Sequence, residues 1–251
     1  MMKQCLILGD GVSGRAARRL AELLGMKAEI LSDPAPVPPD EAVEKCSLIV
    51  TSPGVPPLTS PLWQAAARRA DRGEAEFISE LEFGFRNLPR RRCIAITGTN
   101  GKTTTTELVC HLLNAAGVPA VPAGNIGVPL ADIAADMREG KLPPETFPVV
   151  EVSSFQLERA DTFAPVAAAL LNLESDHINR YAGGFEEYCE VKRRIFRHVP
   201  EENRVFGLSL PASRRVELRE ARLYVDGREL IDTGVTRLQA PHNQENLAAA
   251  V

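Results

Sequence analysis

The stretch IAITGTNGKTT, residues 94–104, joins a predicted strand to a predicted helix through a short loop. Backbone amides in such a loop point at phosphate oxygens, and the helix N-terminus adds partial positive charge. We expect Lys102 to reach the β- and γ-phosphates of a nucleoside triphosphate and the Thr103 hydroxyl to bind magnesium. The general pattern has glycine at the position of Ile96, so the match is incomplete. The predicted nucleotide-binding residues are Gly98, Thr99, Asn100, Gly101, Lys102, Thr103 and Thr104.

Apolar strands alternate with helices on both sides of this loop, which predicts an α/β protein with mostly parallel sheets. We expect a small Rossmann-like N-terminal domain in residues 1–90 and a P-loop-type domain in residues 91–251. After residue 200 the pattern changes, with predicted strands at 204–210 and 222–230 and a turn signal at Asp226-Gly227. The last residues, 245–251, continue a helical pattern without a stop signal, so we expect a part of a longer protein.

A second glycine-rich loop, GDGVSG at residues 9–14, follows the first predicted strand. With Asp33 at the end of the next strand, it matches a dinucleotide-binding fingerprint, which taken alone favours NAD. The unit has only about 90 residues, too few for two mononucleotide halves. The same loop is suited to a diphosphate, and the glycines also fit a simple tight turn.

Polar residues follow two later strands at the edge where open α/β sheets bind ligands. Glu151 lies at the C-terminal end of the predicted strand Val149–Val152, and a carboxylate there is suited to hold magnesium. A solvent-facing acid is the alternative. His177 follows the strand Val166–Leu171 and is a candidate for a metal or a substrate group, although a lone histidine is more often structural.

Lys192 lies in a predicted helix, Gly184–His198, on the same face as Phe185, Tyr188 and Phe196. Two interpretations stay open. The lysine reaches along the apolar face to water, or it lies in a cleft with a lowered pKa.

The composition is that of an ordinary globular protein, with 44% hydrophobic residues and a net charge of -4. The absence of a basic stripe argues against nucleic acid as a partner. No apolar run approaches the about 20 residues of a membrane span. Five cysteines without a C-x-x-C pair fit free thiols in a reducing cytoplasm.

Taken together, the motifs resemble the Mur ligases of bacterial cell-wall synthesis. The resemblance runs from Leu6 to Val251, and its most specific segments are Gly98–Thr104, Gly124–Gly127, Glu151–Glu158, Asp176-His177 with Tyr181 and Lys192, and His242–Asn246. The run Ser153–Leu157 favours the member that adds D-glutamate.

The resemblance implies an ATP-dependent ligase that joins D-glutamate to UDP-N-acetylmuramoyl-L-alanine through an acyl phosphate. Magnesium is then held by Thr103 and Glu151, and a second ion by His177 and a carbamylated Lys192. Asn246 contacts the adenine. The UDP-linked substrate is bound by Gly11, Val12, Ser13, Asp33, Pro34, Asn125, Ser153 and His177.

The same resemblance implies a monomeric, cytoplasmic enzyme whose partners are small molecules, with no nucleic acid and no membrane. We expect the central domain to be incomplete and the C-terminal amino-acid-binding domain to be absent, so that these residues bind nucleotides without completing the reaction. Another Mur ligase, a folylpolyglutamate-synthase-like ligase, a non-catalytic nucleotide-binding module and an NAD-dependent oxidoreductase remain as alternatives.

Overall fold

The computed structural model describes residues 4–176, 178–210, 216–220, 222–225, 227–233 and 240–251. The predicted site residue His177 and the turn residue Asp226 therefore lie outside the described residues. Within the described ranges, no helix is both long and apolar enough to cross a membrane.

The N-terminal part is a four-stranded parallel sheet in the order β2-β1-β3-β4. Strand β1 is buried along nearly its whole length, as a strand covered by helices on both faces requires. Its elements are β1 (Gln4–Leu8), α1 (Val12–Leu23), β2 (Lys27–Leu31), α2 (Pro39–Glu44), β3 (Leu48–Thr51), α3 (Pro61–Asp71) and β4 (Glu76–Ser79).

The central part is a five-stranded parallel sheet in the order β6-β7-β5-β8-β9. Strand β5 lies in the middle, so the carboxyl ends of β7, β5 and β8 meet at one edge. The elements are α4 (Glu80–Asn87), β5 (Ile94–Thr97), α5 (Lys102–Ala115), β6 (Ala120–Gly124), α6 (Leu130–Arg138), β7 (Phe147–Glu151), α7 (Ser154–Leu157), β8 (Ala167–Leu170), α8 (Gly184–Arg193) and β9 (Arg204–Phe206). The α/β class and the mostly parallel sheets predicted from sequence are confirmed.

A three-stranded antiparallel sheet and a final helix complete the described residues. They are β10 (Val216–Arg219), β11 (Arg222–Val225), β12 (Arg228–Asp232) and α9 (Pro241–Ala250). The region predicted as strand at 222–230 consists of two antiparallel strands, β11 and β12. The chain turns back between them at Gly227, one of the two residues of the predicted turn signal, whose φ of +77° is in the left-handed region.

Two other elements were predicted to extend further along the chain than they do. The strand predicted at 204–210 ends at Phe206, and helix α8 ends at Arg193 and passes into a 3-10 turn, Arg194–Phe196. Phe185, predicted on the apolar face of α8, has 39% of its surface exposed. It lies in the first turn of the helix, where its ring stacks on that of Tyr188 with the ring centroids 6.1 Å apart.

Helix α4 joins the two sheets, although the sequence analysis assigned no structure to residues 80–86. Ser79 caps the helix by accepting a hydrogen bond from the Glu82 amide. Leu81, Phe83 and Phe85 are buried in a core shared with α1, α6 and both sheets. Across the same contact, Arg19 of α1 forms ion pairs with three acidic residues of the α6 region: Asp132, Asp136 and Glu139. The domain boundary at residue 90 stays a prediction.

Candidate functional site: a phosphate loop at the edge of the central sheet

The predicted phosphate loop connects β5 directly to α5. Gly101 precedes the helix with φ of +81°, and a Cβ atom there would lie 2.1 Å from the Asn246 side-chain oxygen. Only glycine fits this backbone conformation and this contact. Since the first amides of a helix have no partner within the helix, those of Lys102, Thr103 and Thr104 are suited to bind an anion.

Lys102 is folded into the loop rather than extended into solvent. Its Nζ donates hydrogen bonds to the backbone oxygens of Gly98 at 3.0 Å and Thr99 at 2.7 Å. Burial lowers the pKa of Lys102, while the nearby acids Glu151 and Asp176 raise it. The amine is thus held at the centre of the loop, where phosphate oxygens would meet it.

Glu151 ends β7 beside the start of α5, and it is almost completely buried. Thr103 Oγ1 donates to Glu151 Oε2 at 2.8 Å, and Asn125 Nδ2 donates to Glu151 Oε1 at 3.0 Å. The alternative of a solvent-facing acid is therefore wrong. A hydroxyl and a carboxylate oxygen side by side are ligands that magnesium prefers.

Within the described ranges there is no cluster of three or more His, Cys, Asp or Glu suited to a metal. The donor set of Thr103 and Glu151 fits a magnesium ion that takes its other ligands from water and phosphates, as this ion usually does.

Lys192 also contacts the loop, and only 2% of its surface is exposed, so the interpretation in which it reaches water is wrong. Its Nζ donates to Gly98 O at 2.8 Å and to Thr97 Oγ1 at 3.3 Å. Burial, followed by the charge of Lys102, lowers the pKa of Lys192 to about 7. Two lysine amines therefore donate to the same backbone oxygen, that of Gly98.

Asn172 and Glu174, which follow β8, border the loop on its outer side. The amides of Thr99 and Asn100 donate to Asn172 Oδ1, and Asn100 Nδ2 donates to a Glu174 carboxylate oxygen at 3.0 Å. The sequence analysis missed both residues. The signal that could have found them is their position just beyond the carboxyl end of a strand next to β5.

A separate pocket of about 460 Å³ opens at the carboxyl edge of the N-terminal sheet. Gly14 is required beside it, because a Cβ atom there would lie 1.8 Å from the Gly9 backbone oxygen. Ser60 caps α3 and hydrogen-bonds the Asp33 carboxylate. Pro34 follows Asp33 through a cis peptide bond. The predicted residues that line the pocket are Gly11, Val12, Ser13 and Asp33.

The chain resembles known proteins over most of its length, and residues 96–225, more than half of it, match the Mur ligase middle domain. The chain belongs to the Mur ligase family. It is 37% identical to the UDP-N-acetylmuramoylalanine–D-glutamate ligase of Geobacter metallireducens over 260 aligned positions, covering 92% of this chain and 54% of that protein. The enzyme of the same name from Nitratidesulfovibrio vulgaris is 34% identical, and the alignment covers 98% of this chain and 59% of that protein. The chain thus spans about half the length of these relatives.

Solved Mur ligase structures share the fold. The UDP-N-acetylmuramate:L-alanyl-gamma-D-glutamyl-meso-diaminopimelate ligase from Neisseria meningitides superposes with a TM-score of 0.56 at 17% identity, covering 100% of this chain and 92% of that chain. The UDP-N-acetylmuramate-alanine ligase MurC from Thermotoga maritima superposes with a TM-score of 0.53 at 17% identity, and the match covers 100% of this chain and 64% of that chain. At that identity the likeness concerns the fold alone.

In this member of the Mur ligase family, the structure brings most of the predicted nucleotide-site residues into one connected network. Lys102, Thr103, Glu151, Asn125 and Lys192 all hydrogen-bond to the loop or to one another. Asn246, which is buried, contacts the loop at Gly101. Ser153 caps α7 in a reciprocal pair with Gln156. The ligand contacts assigned to Asn246, Ser153, Pro34 and Asn125 stay predictions.

Proposed function

We propose that these residues form the substrate- and ATP-binding parts of a ligase that joins D-glutamate to UDP-N-acetylmuramoyl-L-alanine. The observation that carries the proposal is the joint position of Lys102, Thr103 and Glu151 at one end of the central sheet. The names of the relatives support the choice of D-glutamate. The five cysteines are free thiols, in keeping with a cytoplasmic enzyme.

The geometry supports catalysis by positioning and charge neutralisation. Lys102 and the amides of residues 102–104 bind the β- and γ-phosphates of ATP. Thr103 and Glu151 would hold a magnesium ion, which neutralises phosphate charge when bound. The carboxylate of the UDP-linked substrate attacks the γ-phosphate to give an acyl phosphate and ADP. The amine of D-glutamate then attacks the acyl carbon, and phosphate leaves.

The UDP group of the substrate is assigned to the pocket of the N-terminal sheet. The N-terminus of α1, with Gly11, Val12 and Ser13, offers amides to the diphosphate. Asp33, held by Ser60, lies at the same pocket and would accept a hydrogen bond from the base. Because these 251 residues span about half of the relatives' length, we expect nucleotide binding but no complete ligation from them alone.

The test is calorimetric titration of the chain with Mg-ATP, UDP and NAD. We expect binding of Mg-ATP and UDP but not NAD. Lys102→Ala should abolish tight Mg-ATP binding and leave UDP binding unchanged. Lys141→Ala, which removes an exposed lysine paired with Glu139, is the matched control. Unchanged Mg-ATP affinity in a folded Lys102→Ala protein would show that the loop assignment is wrong. NAD binding in place of UDP would favour the oxidoreductase.

We further propose that Lys192 is carbamylated in the working enzyme. The buried amine adds to carbon dioxide, a nitrogen–carbon bond forms, and a proton passes to solvent. The product is an anionic oxygen ligand of the kind that magnesium prefers. His177, assigned to the same ion by the resemblance, lies outside the described residues.

Carbamylation is tested by NMR with ¹³C-bicarbonate and magnesium. A carbamate signal that disappears in Lys192→Met is expected. Absence of the signal from the wild-type protein with both reagents supplied would contradict the proposal.

A further inference from the structure

One side chain outside the predicted nucleotide site, that of Asn172, binds two consecutive peptide groups of the phosphate loop. Asn172 Oδ1 accepts from the Thr99 amide at 2.9 Å and from the Asn100 amide at 2.8 Å. Its Nδ2 donates to Asn100 O at 3.1 Å, and its own backbone oxygen accepts from the Thr99 amide at 3.2 Å. All three side-chain hydrogen bonds therefore go to the loop backbone.

These two peptide groups also hold the catalytic amine. The peptide that ends in the Thr99 amide begins with the Gly98 carbonyl, and the peptide that ends in the Asn100 amide begins with the Thr99 carbonyl. Both carbonyls accept hydrogen bonds from Lys102 Nζ. In a trans peptide, the N–H and the C=O point in opposite directions. Anchoring the two amides on Asn172 therefore directs both carbonyls toward Lys102.

The chemistry of the side chain suits this task. A carboxamide offers an acceptor to the two amides and a donor to a carbonyl at the same time. It does so without charge, whereas an aspartate at the same place would bring a negative charge near the phosphates.

We propose that Asn172 is a positioning residue that places Lys102 for nucleotide binding through the peptide groups of Thr99 and Asn100. The inference rests on the proposed function, in which the loop binds Mg-ATP. Asn172 itself is assigned no contact with the nucleotide.

The test compares Asn172→Ala with Asn114→Ala in the full 251-residue chain. Asn114 is a matched control because its side chain also forms three hydrogen bonds to backbone groups, Cys110 O, Ala120 O and Ala120 N, at the far end of α5. Both variants should lower the thermal midpoint by similar amounts and leave UDP affinity unchanged. Only Asn172→Ala should weaken Mg-ATP binding, by about tenfold or more.

Amide hydrogen exchange gives a second readout that global stability does not move. Protection of the Asn100 amide should be lost in Asn172→Ala, whereas the Thr99 amide, which also donates to the Asn172 backbone oxygen, should lose only part of its protection. Both amides should regain protection in Asn172→Asp, which keeps the acceptor oxygen. If Asn172→Ala does not fold, the exchange rates of these two amides are compared between Asn172→Asp and the wild type. Loss of their protection in Asn172→Asp would show that the side-chain oxygen of residue 172 is not the acceptor that holds them.

The outcomes separate the two proposals. Wild-type protein that does not bind Mg-ATP refutes the proposed function. Wild-type protein that binds Mg-ATP, with Asn172→Ala binding it equally tightly, overturns only the positioning role of Asn172.

Discussion

Glu80, at the start of α4, is a buried carboxylic acid that pairs with no cation among the described residues. Its replacement by glutamine should stabilise the protein at neutral pH. The side chain has none of its surface exposed. Oε1 accepts a hydrogen bond from the Ala131 amide at 2.7 Å, and Oε2 has no partner among the described residues. Burial raises the pKa of Glu80 to about 7, and the hydrogen bond from Ala131 opposes this rise. Glu80→Gln keeps the acceptor oxygen and cannot ionise.

The sign of the effect follows from proton linkage. The unfolded chain releases the Glu80 proton near its ordinary pKa of 4.5, whereas the folded protein keeps it until about pH 7. Between these values the folded state binds more protons, so the free energy of unfolding falls as pH rises. The difference between the two pKa values corresponds to a loss of about 3 kcal/mol in the free energy of unfolding, and this loss is complete above about pH 7. Glu80→Gln should recover most of this loss at pH 8 and little of it at pH 4.5.

Urea unfolding at a series of pH values measures the difference between Glu80→Gln and wild type. Glu82, two residues along the same helix, provides the control. It is equally buried, but its Oε1 accepts from Arg86 Nε at 2.6 Å and from the Thr162 amide at 3.1 Å. Glu82→Gln removes the charge of a partly buried ion pair and should destabilise by about 1–3 kcal/mol. A pH-independent difference for Glu80→Gln, or destabilisation at pH 8, would refute the reasoning.

Three further predictions concern the contact between the two sheets, the pocket of the N-terminal sheet and the buried lysine beside the phosphate loop. Gly84→Ala places a Cβ atom 2.6 Å from a backbone nitrogen of α6, so overpacking of about 1–3 kcal/mol should outweigh the about 1 kcal/mol gained in helix propensity, as a lower urea midpoint would show. Ser60→Ala should lower stability by about 1 kcal/mol. It should also weaken UDP binding, because Asp33 loses the hydrogen bond from Ser60 and keeps the longer one, 3.4 Å, from the Leu62 amide. The α4 cap variant Ser79→Ala should lower stability alone. Lys192→Met removes a buried amine. Between about pH 10 and about pH 7 the unfolded wild-type chain binds a proton at this lysine that the folded protein does not bind, so the wild type loses stability as pH falls and Lys192→Met should become more stable relative to it. Equal pH profiles of the two proteins in urea unfolding would contradict the burial of this group.

The parts of the fold that repeat a regular pattern were predictable from sequence. The phosphate loop was recognised because strand, loop and helix follow one another with fixed spacing, and Glu151 because apolar residues flank it on a strand. Helix α4 was missed because six consecutive residues, 80–85, are buried, which leaves no polar face for the periodicity to reveal. Asn172 was missed because a single neutral residue in a loop carries no motif. Its role depends on the loop that lies beside it in the sheet.

The contacts between the two sheets fix how the pocket of the N-terminal sheet lies relative to the phosphate loop. Arg180, which follows β8, pairs with Glu158 in two hydrogen bonds of 2.7 and 2.9 Å and stacks over the Phe155 ring. Its guanidinium also donates to the backbone oxygen of Val55, which lines the pocket of the N-terminal sheet. With the shared core of α1, α4 and α6, this contact ties the pocket to the central sheet at two separate places. Relative motion of the sheets would have to break a buried apolar core and a half-buried ion pair together. The distance between the pocket and the phosphate loop is therefore set by the fold. Under the proposed function, a substrate anchored in the pocket by its diphosphate would present its far end to the loop at a fixed distance.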